Sequence, residues 1–350
     1  MIAMPNNVQM DELMESMRRM LKTSARMYMH LTKATIDRFG RDGEMTVRYG
    51  LRAYGSWRGL EMRAAHHALG LDINMKNLIG CWDNASTYIV KDSMEAEGTY
   101  KPYDTRFDVP YCPAAEAWKE AEFFQWGHVY CDEFHQACAS AYHPDGNVVI
   151  PQNMMKGDDH CHFRWIMPPD AEKLELGEPS ELGTRLARDY SASSELEAAW
   201  LSLKRSGRLV GGRFVTAARV VLDRHGEAGR QMINEALASW GADRGRHLRD
   251  EHLGRGIEPS LQNFVRHHDF PMHLVWSVRE IEMEASRVVL EISDTPQDQA
   301  WADLGAAELG MVWYEASYPS MAAAYLPGTA VRWTIPRGGS RRLELALAGA

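Results

Sequence analysis

Between Tyr111 and Met167 the chain gathers four of its five cysteines and five of its fourteen histidines. Two runs carry most of them, CDEFHQACASAYHP and KGDDHCHFRW. A thiol beside an imidazole can be activated as a nucleophile, with a carboxylate to orient the imidazole. On a helix over 128–142, Cys131, His135, Cys138 and Tyr142 recur at four, three and four and share one stripe. In the strand that comes after it, alternation puts Cys161, Phe163 and Trp165 on one face and His160, His162 and Arg164 on the other. The aromatic face is the one helices should cover, which aims Cys161 at the Cys131/His135 stripe.

Three chemistries fit these residues. In the first, Cys131 or Cys161 is the nucleophile, His135 the general base and Asp132 or Asp158 an orienting acid. Trp82, Cys138, Tyr142, His160 and His162 then shape the substrate pocket. In the second, Cys131, His135 and Cys161 hold zinc or another divalent metal; no CxxC pair accompanies them, so no cofactor is predicted outright and the metal stays open. In the third, the cysteines are silent buried hydrophobes.

The elements that must position these side chains can be read from periodicity and punctuation. Apolar positions at three and four predict a helix from Asp11 to Phe39, stopped at Gly40, and a second from Gly43 to about Leu69. The Met-rich start reads as adaptable packing on the first of these helices. A short helical stretch over 70–80 leads to Cys81, Trp82 and Asp83, which are placed to line the pocket. Residues 86–109 read as strands or extended loops. Pro113 opens a helix, and Gly127 is expected to separate it from the helix carrying Cys131. HPDG is a turn, and NVVIPQNMM and HCHFRWIM form a hairpin joined by KGDD. Residues 168–194, rich in Pro, Gly, Ser and charge, read as a linker.

The chain beyond this linker resembles the chain before it. DRFG at 37–40 returns as DRHG at 223–226, and the same offset relates Tyr54, Gly55, Arg58 and Gly59 to Trp240, Gly241, Arg244 and Gly245, and His66 to His252. VYCDEFHQACASAYHPDG is echoed by VWYEASYPSMAAAYLPG. The pattern predicts a tandem duplication: an active α+β domain over 1–167, a linker over 168–194 and a degenerate homologous domain over 195–350. Each domain is expected to pack helices on a small antiparallel sheet, the two forming a pseudo-dimer. In the second copy Cys131, Cys138 and Cys161 fall near Tyr314, Met321 and Leu343, and His135 near Tyr318. The loss of every thiol there points to one working site, with the second half as scaffold and as a pocket wall; His66, mirrored by His252, reads as structural.

A net charge of -9 with no Lys/Arg run argues against a nucleic-acid partner. No secretory pattern and no membrane-length apolar run occurs, so free thiols in a cytoplasmic protein are expected, with a small-molecule substrate and a homo-oligomer left open.

The succession YCPAAEAWKE, VYCDEFHQAC, AYHPDG, KGDDHCHFRW resembles the L-2-amino-thiazoline-4-carboxylic acid hydrolase-like family, through Cys112, Pro113, Cys131, Gly157, Asp158, Cys161 and Phe163. The resemblance implies a hydrolase that opens a small nitrogen- or sulfur-containing ring at a cyclic amide or amidine C–N bond, with cysteine important. The alternative is a non-catalytic small-molecule or metal-binding module similar to vinyl-reductase-like binding domains.

Overall fold

The computed structural model describes residues 2, 4–82, 99–335 and 340–348; Asp83 and the first part of the expected 86–109 strands lie outside them. The chain is organised on two long helical elements, each of them a pair of helices joined at a glycine. Helix α1 (Met10–Ala68) breaks at Gly40, whose φ of 56° and ψ of -130° suit glycine alone. The predicted stop at Gly40 is therefore found: the helices before and after it are two, folded back so tightly that a methyl on Gly43 would strike the Thr35 carbonyl.

After α2 (Met75–Gly80), strands β1 (Thr99–Lys101) and β2 (Asp104–Val109) lead to α3 (Pro113–Glu120), with Pro113 in the first turn. Helix α4 spans Phe124–Tyr142. The expected break at Gly127 lies instead at 121–123, where Glu122 takes φ 53°. Gly127 is inside α4, and a methyl there would come within 2.7 Å of Met155 Cε and 3.0 Å of Trp118, so close packing is the reason for glycine. Strands β3 (Asn147–Gln152) and β4 (Cys161–Ile166) complete an antiparallel sheet of order β1-β2-β4-β3. Cys161, Phe163 and Trp165 are buried and their alternates are not, as alternation predicts.

The 168–194 segment carries a short helix, α5 (Glu181–Ala187), capped by Ser180 Oγ and packed so closely on α1 that Gly183 abuts the Ala64 carbonyl. Helix α6 (Glu195–Gly254) then repeats α1, with a break at Gly226 (φ 53°, ψ -130°). The second half continues with α7 (Leu261–Arg266), α8 (Met272–Val275), β5 (Ser277–Met283), β6 (Arg287–Asp294), α9 (Pro296–Asp303), α10 (Ala307–Tyr325), β7 (Thr329–Thr334) and β8 (Arg341–Leu347). Its sheet order, β5-β6-β8-β7, matches the first. Each half is thus a set of helices on a separate four-stranded antiparallel sheet, the α+β class expected. His66 Nδ1 meets Tyr142 OH at 2.8 Å and His252 Nδ1 meets Tyr325 OH at 2.7 Å, matched buried contacts in keeping with the structural role read for His66.

The long helices cross between the halves. Leu13, Met17, Met20 and Met27 of α1 are fully buried in the second half's core, while Tyr28, Val47, Leu51 and Tyr54 belong to the first. Phe39 and His225, each one residue before a break, stack with centroids 3.7 Å apart. Buried Arg208 of α6 pairs with Glu61 of α1. No helix among the described residues is long and apolar enough to cross a membrane.

Candidate functional site

A cavity of about 250 Å³ lies in the first half between the inner face of its sheet and helices α3 and α4. Its wall is mostly apolar and rich in aromatic rings, with Trp82, Phe107, Phe134, Phe163 and Trp165, and three thiols open onto it: Cys112, Cys131 and Cys161. His135, Asn153 and, from the second half, Arg213 supply the remaining polarity.

Helix α4 delivers two of these groups. Cys131 is half-buried and His135 lies one turn on, its Nδ1 2.7 Å from the Cys131 carbonyl. A carbonyl only accepts, so Nδ1 carries the proton and Nε2 keeps its lone pair. Trp82 lies over the imidazole, centroids 6.0 Å apart and 25° from parallel. Burial pulls His135 down to about 4, against the Cys131 carbonyl and Asp132, so the ring is neutral at physiological pH.

The hairpin turn delivers the next two. Asn153 is fully buried; its backbone N–H donates to Asp158 Oδ2 (2.6 Å) and its Oδ1 accepts from Met155 N–H (2.8 Å). With Oδ1 fixed, the amide Nδ2 is turned away and has no hydrogen-bond partner. Met154 N–H donates to Cys161 Sγ (3.3 Å). The Gly157-Asp158-x-x-Cys161 motif thus acquires a physical meaning. Gly157, at φ 101°, closes the turn, and Asp158 ties down the residue whose side chain lies beside the thiols.

Cys112 is the N-cap residue of α3. All three thiols are raised by burial, but unequally. Cys131 is pushed far up by burial, and then by the neighbouring Cys161 and Cys112 and by Asp132, with the Asn153 amide opposing. Cys161 is pushed up to about 11 by burial, with the Met154 amide opposing. Cys112 is raised by burial too, but the amides of Ala115 and Ala114 at the helix start and the Arg213 guanidinium pull against it. Helix N-termini and neighbouring cations are the surroundings that make a thiol ionise.

Several residues expected at the site lie elsewhere. Cys138 and Tyr142 share the predicted stripe, but a helix rises about 1.5 Å per residue, so Tyr142 is about 16 Å beyond Cys131. That end of the stripe runs under α1: Cys138 is fully buried where Gly55 and Gly59 pack on α4, and Tyr142 bonds His66. Asp132 turns outward to Lys156 (3.4 Å), since the neighbour of an inward residue sits about 100° round the helix. His162 is on the outer face of the sheet, its Nδ1 2.6 Å from Asp108, and His160 pairs with Asp159 at 2.5 Å. Asp158 acts through Asn153. Of the expected set, Cys131, His135, Cys161 and Trp82 line the cavity. Among the described residues no three His, Cys, Asp or Glu side chains are grouped to hold a metal ion, Cys131, His135 and Cys161 included.

Sequence reasoning left Cys112, Asn153 and Arg213 out of the site. Cys112 had a signal, a cysteine directly before the proline that opens a helix. Arg213 had none, because it reaches the cavity only through the crossing of α6.

The second half has side chains where the first has space. Helices α3 and α9, α4 and α10, and strands β2 and β6 correspond at one offset, which sets Thr295 at the place of Cys112, Tyr314 at Cys131 and Tyr318 at His135. Strand register pairs Val109 with Cys161 and Ile292 with Arg341, so the counterpart of Cys161 is Arg341 and not Leu343. Tyr314 and Tyr318 are fully buried, Thr295 Oγ1 is 3.2 Å from Tyr314 OH, and Arg341 lies 4.6 Å over the Tyr314 ring while paired with Asp298.

Burial of neutral imidazoles has a measurable cost in acid. His135 and His268 are both pulled down to about 4, and His66 to about 3, in each case chiefly by burial. Unfolded histidine titrates near 6.5, so below that pH the unfolded chain binds more protons than the folded one. Stability is therefore complete above about pH 6.5 and is lost as pH falls towards 4. The urea midpoint should be lower at pH 5.0 than at pH 7.5, and His135→Gln should shrink that difference; a midpoint unmoved by pH would contradict the neutral, buried assignment.

No curated protein and no solved structure matches the chain. Residues 20–165, which include Cys112, Cys131, His135, Asn153 and Cys161, match the family described as L-2-amino-thiazoline-4-carboxylic acid hydrolase. The part of the chain that carries the three-thiol cavity is thus similar to that hydrolase family over residues 20–165, a little under half of the chain's length.

Proposed function

We propose that the chain is a hydrolase that opens a small ring containing nitrogen or sulfur at its amidine-like carbon, with Cys112 as the attacking thiol. The observation that carries this is the convergence of three thiols, a neutral imidazole and an unpartnered buried amide on an aromatic cavity of small-ring size. Cys112 is preferred because it stands at a helix start, where two helix amides and Arg213 pull against burial and Glu116; Cys161 has one amide and Lys119 on its side, and Cys131 is pushed further up by two thiols and Asp132.

At rest the thiol is protonated. As its sulfur bonds the ring C=N carbon, the proton passes to His135 Nε2, the π pair moves to nitrogen, and nitrogen is protonated from the imidazolium. Asn153 Nδ2 donates to the tetrahedral centre as charge builds on it. A nitrogen lone pair on that carbon then re-forms C=N as one ring bond breaks. The departing ring atom takes the bond pair and a proton that His135 relays from that nitrogen. Water next adds to the carbon, and His135 passes its proton to the departing Cys112 sulfur, for a net gain of one water. Asp158 is a positioning residue, acting through the Asn153 backbone. The second half fits a tandem copy whose own cavity has been filled by Tyr314, Tyr318 and Arg341.

The test is to incubate purified chain with L-2-amino-thiazoline-4-carboxylic acid and follow the small molecule by mass. A ring-opened product one water heavier is expected. Tight binding with no product over hours would move the chain to the alternative reading, a non-catalytic small-molecule-binding module.

A further inference from the structure

We infer that Arg213, supplied by the second half, is the anion-binding residue of the cavity in the first half. It lies outside residues 20–165 and is one of the few polar groups in the cavity wall.

Among the described residues the guanidinium has hydrogen-bond partners but no carboxylate at ion-pair distance. Nη1 donates to Ser24 Oγ (2.9 Å) and Nη2 to Tyr130 OH (2.6 Å), and the group lies 5.1 Å over Tyr54 and 4.9 Å over Tyr130. Its Nε is out of reach of solvent and has no hydrogen-bond partner. Arg208, Arg244 and Arg341, all buried, each meet a carboxylate: Glu61 and Asp303, Asp269, and Asp298. Arg213 is half-buried and opens on the cavity; a cation partly removed from water without an anion is costly, and a fork of N–H donors is suited to a planar carboxylate.

The other half supplies an internal comparison. The offset that relates Gly40 to Gly226 relates Met27 to Arg213, and Met27 crosses to the second half just as Arg213 crosses to the first. There its sulfur accepts from Trp313 Nε1 at 3.3 Å, Trp313 being the counterpart of Tyr130. The crossing residue is thus an apolar thioether where the cavity is filled and a cation where it is open. The ligand class is a small, flat ring with a carboxylate, its ring against Trp82, Phe163 and Trp165 and its charge on Arg213. A bound carboxylate would offset part of the guanidinium's pull on Cys112, leaving the helix amides to assist the thiol.

This rests on the same cavity as the hydrolase reading but not on turnover. Thiazole-4-carboxylate and its neutral carboxamide, aromatic probes, should be titrated calorimetrically into the full chain and into Arg213→Met and Arg213→Lys. The acid should bind the unaltered chain at least about 10-fold more tightly than the amide. Arg213→Met should abolish that preference while amide binding persists, and Arg213→Lys should restore part of it. Equal binding of acid and amide by the unaltered chain, equal loss of both in Arg213→Met, or no binding of either at millimolar concentration would overturn the proposal. Arg213-dependent acid binding in a chain that opens no ring would sink the hydrolase reading alone.

Discussion

Cys112→Ala is expected to lower kcat for ring opening by about 10³-fold or more while leaving the protein folded. Alanine keeps the N-cap backbone and removes only a thiol, and the cap has no side-chain hydrogen bond to lose. What it removes chemically is the group that the α3 amides and Arg213 act upon. Cys131→Ala should cost less than Cys112→Ala, since its thiol is the one its neighbours keep protonated. Cys138→Ala is the sharper contrast: it should leave kcat within about 3-fold and act on stability, because that side chain is buried at the α1–α4 contact away from the cavity. Steady-state kinetics with circular dichroism on the three variants separates these outcomes, and full activity in Cys112→Ala would remove it from the reaction.

The largest effect on the fold is expected at Gly55. A methyl there would collide with the Phe134 carbonyl and come within 2.9 Å of Ala137 Cβ and 3.1 Å of the Cys138 backbone N. Backbone atoms in the middle of α4 cannot yield as a side-chain end can, so Gly55→Val should destabilise by about 3 kcal/mol or more. In Tm that is roughly 6 °C or more for a chain of this size. The same push shifts α4, and with it Cys131 and His135, so activity should fall in the folded fraction as well. Gly254→Ala, with nothing within 4 Å, is the control and should stay within about 0.5 kcal/mol. Equal Tm values for the two variants would mean that α1 and α4 are not in this contact.

The sequence made the scaffold legible and only part of the site. Both glycine breaks, the inward face of Cys161, Phe163 and Trp165 and the His66/His252 pairing could be read because each depends on local period or on repetition. The helical stripe was correct as geometry yet only its first turn meets the cavity, since periodicity gives a face and not how far along it a pocket extends. The outward turn of His160, His162 and Asp132 is set by strand and helix period too, and residue type alone had drawn them inward. The Asn153 side chain and the Met154 amide depend on the conformation of the eight-residue connection over 153–160, whose hydrogen bonds leave no periodic trace. Arg213 depends on two long helices crossing from one half to the other, a tertiary fact with no local signature.

The central claim is that a thiol at the start of α3 bonds covalently to the ring. Acid-quenching the protein during turnover of L-2-amino-thiazoline-4-carboxylic acid and weighing its peptides tests it directly. The prediction is a substrate-derived mass on the peptide containing Cys112, absent from those containing Cys131, Cys138 and Cys161 and absent altogether in Cys112→Ala. Turnover with no adduct on Cys112, undiminished in Cys112→Ala, would contradict it.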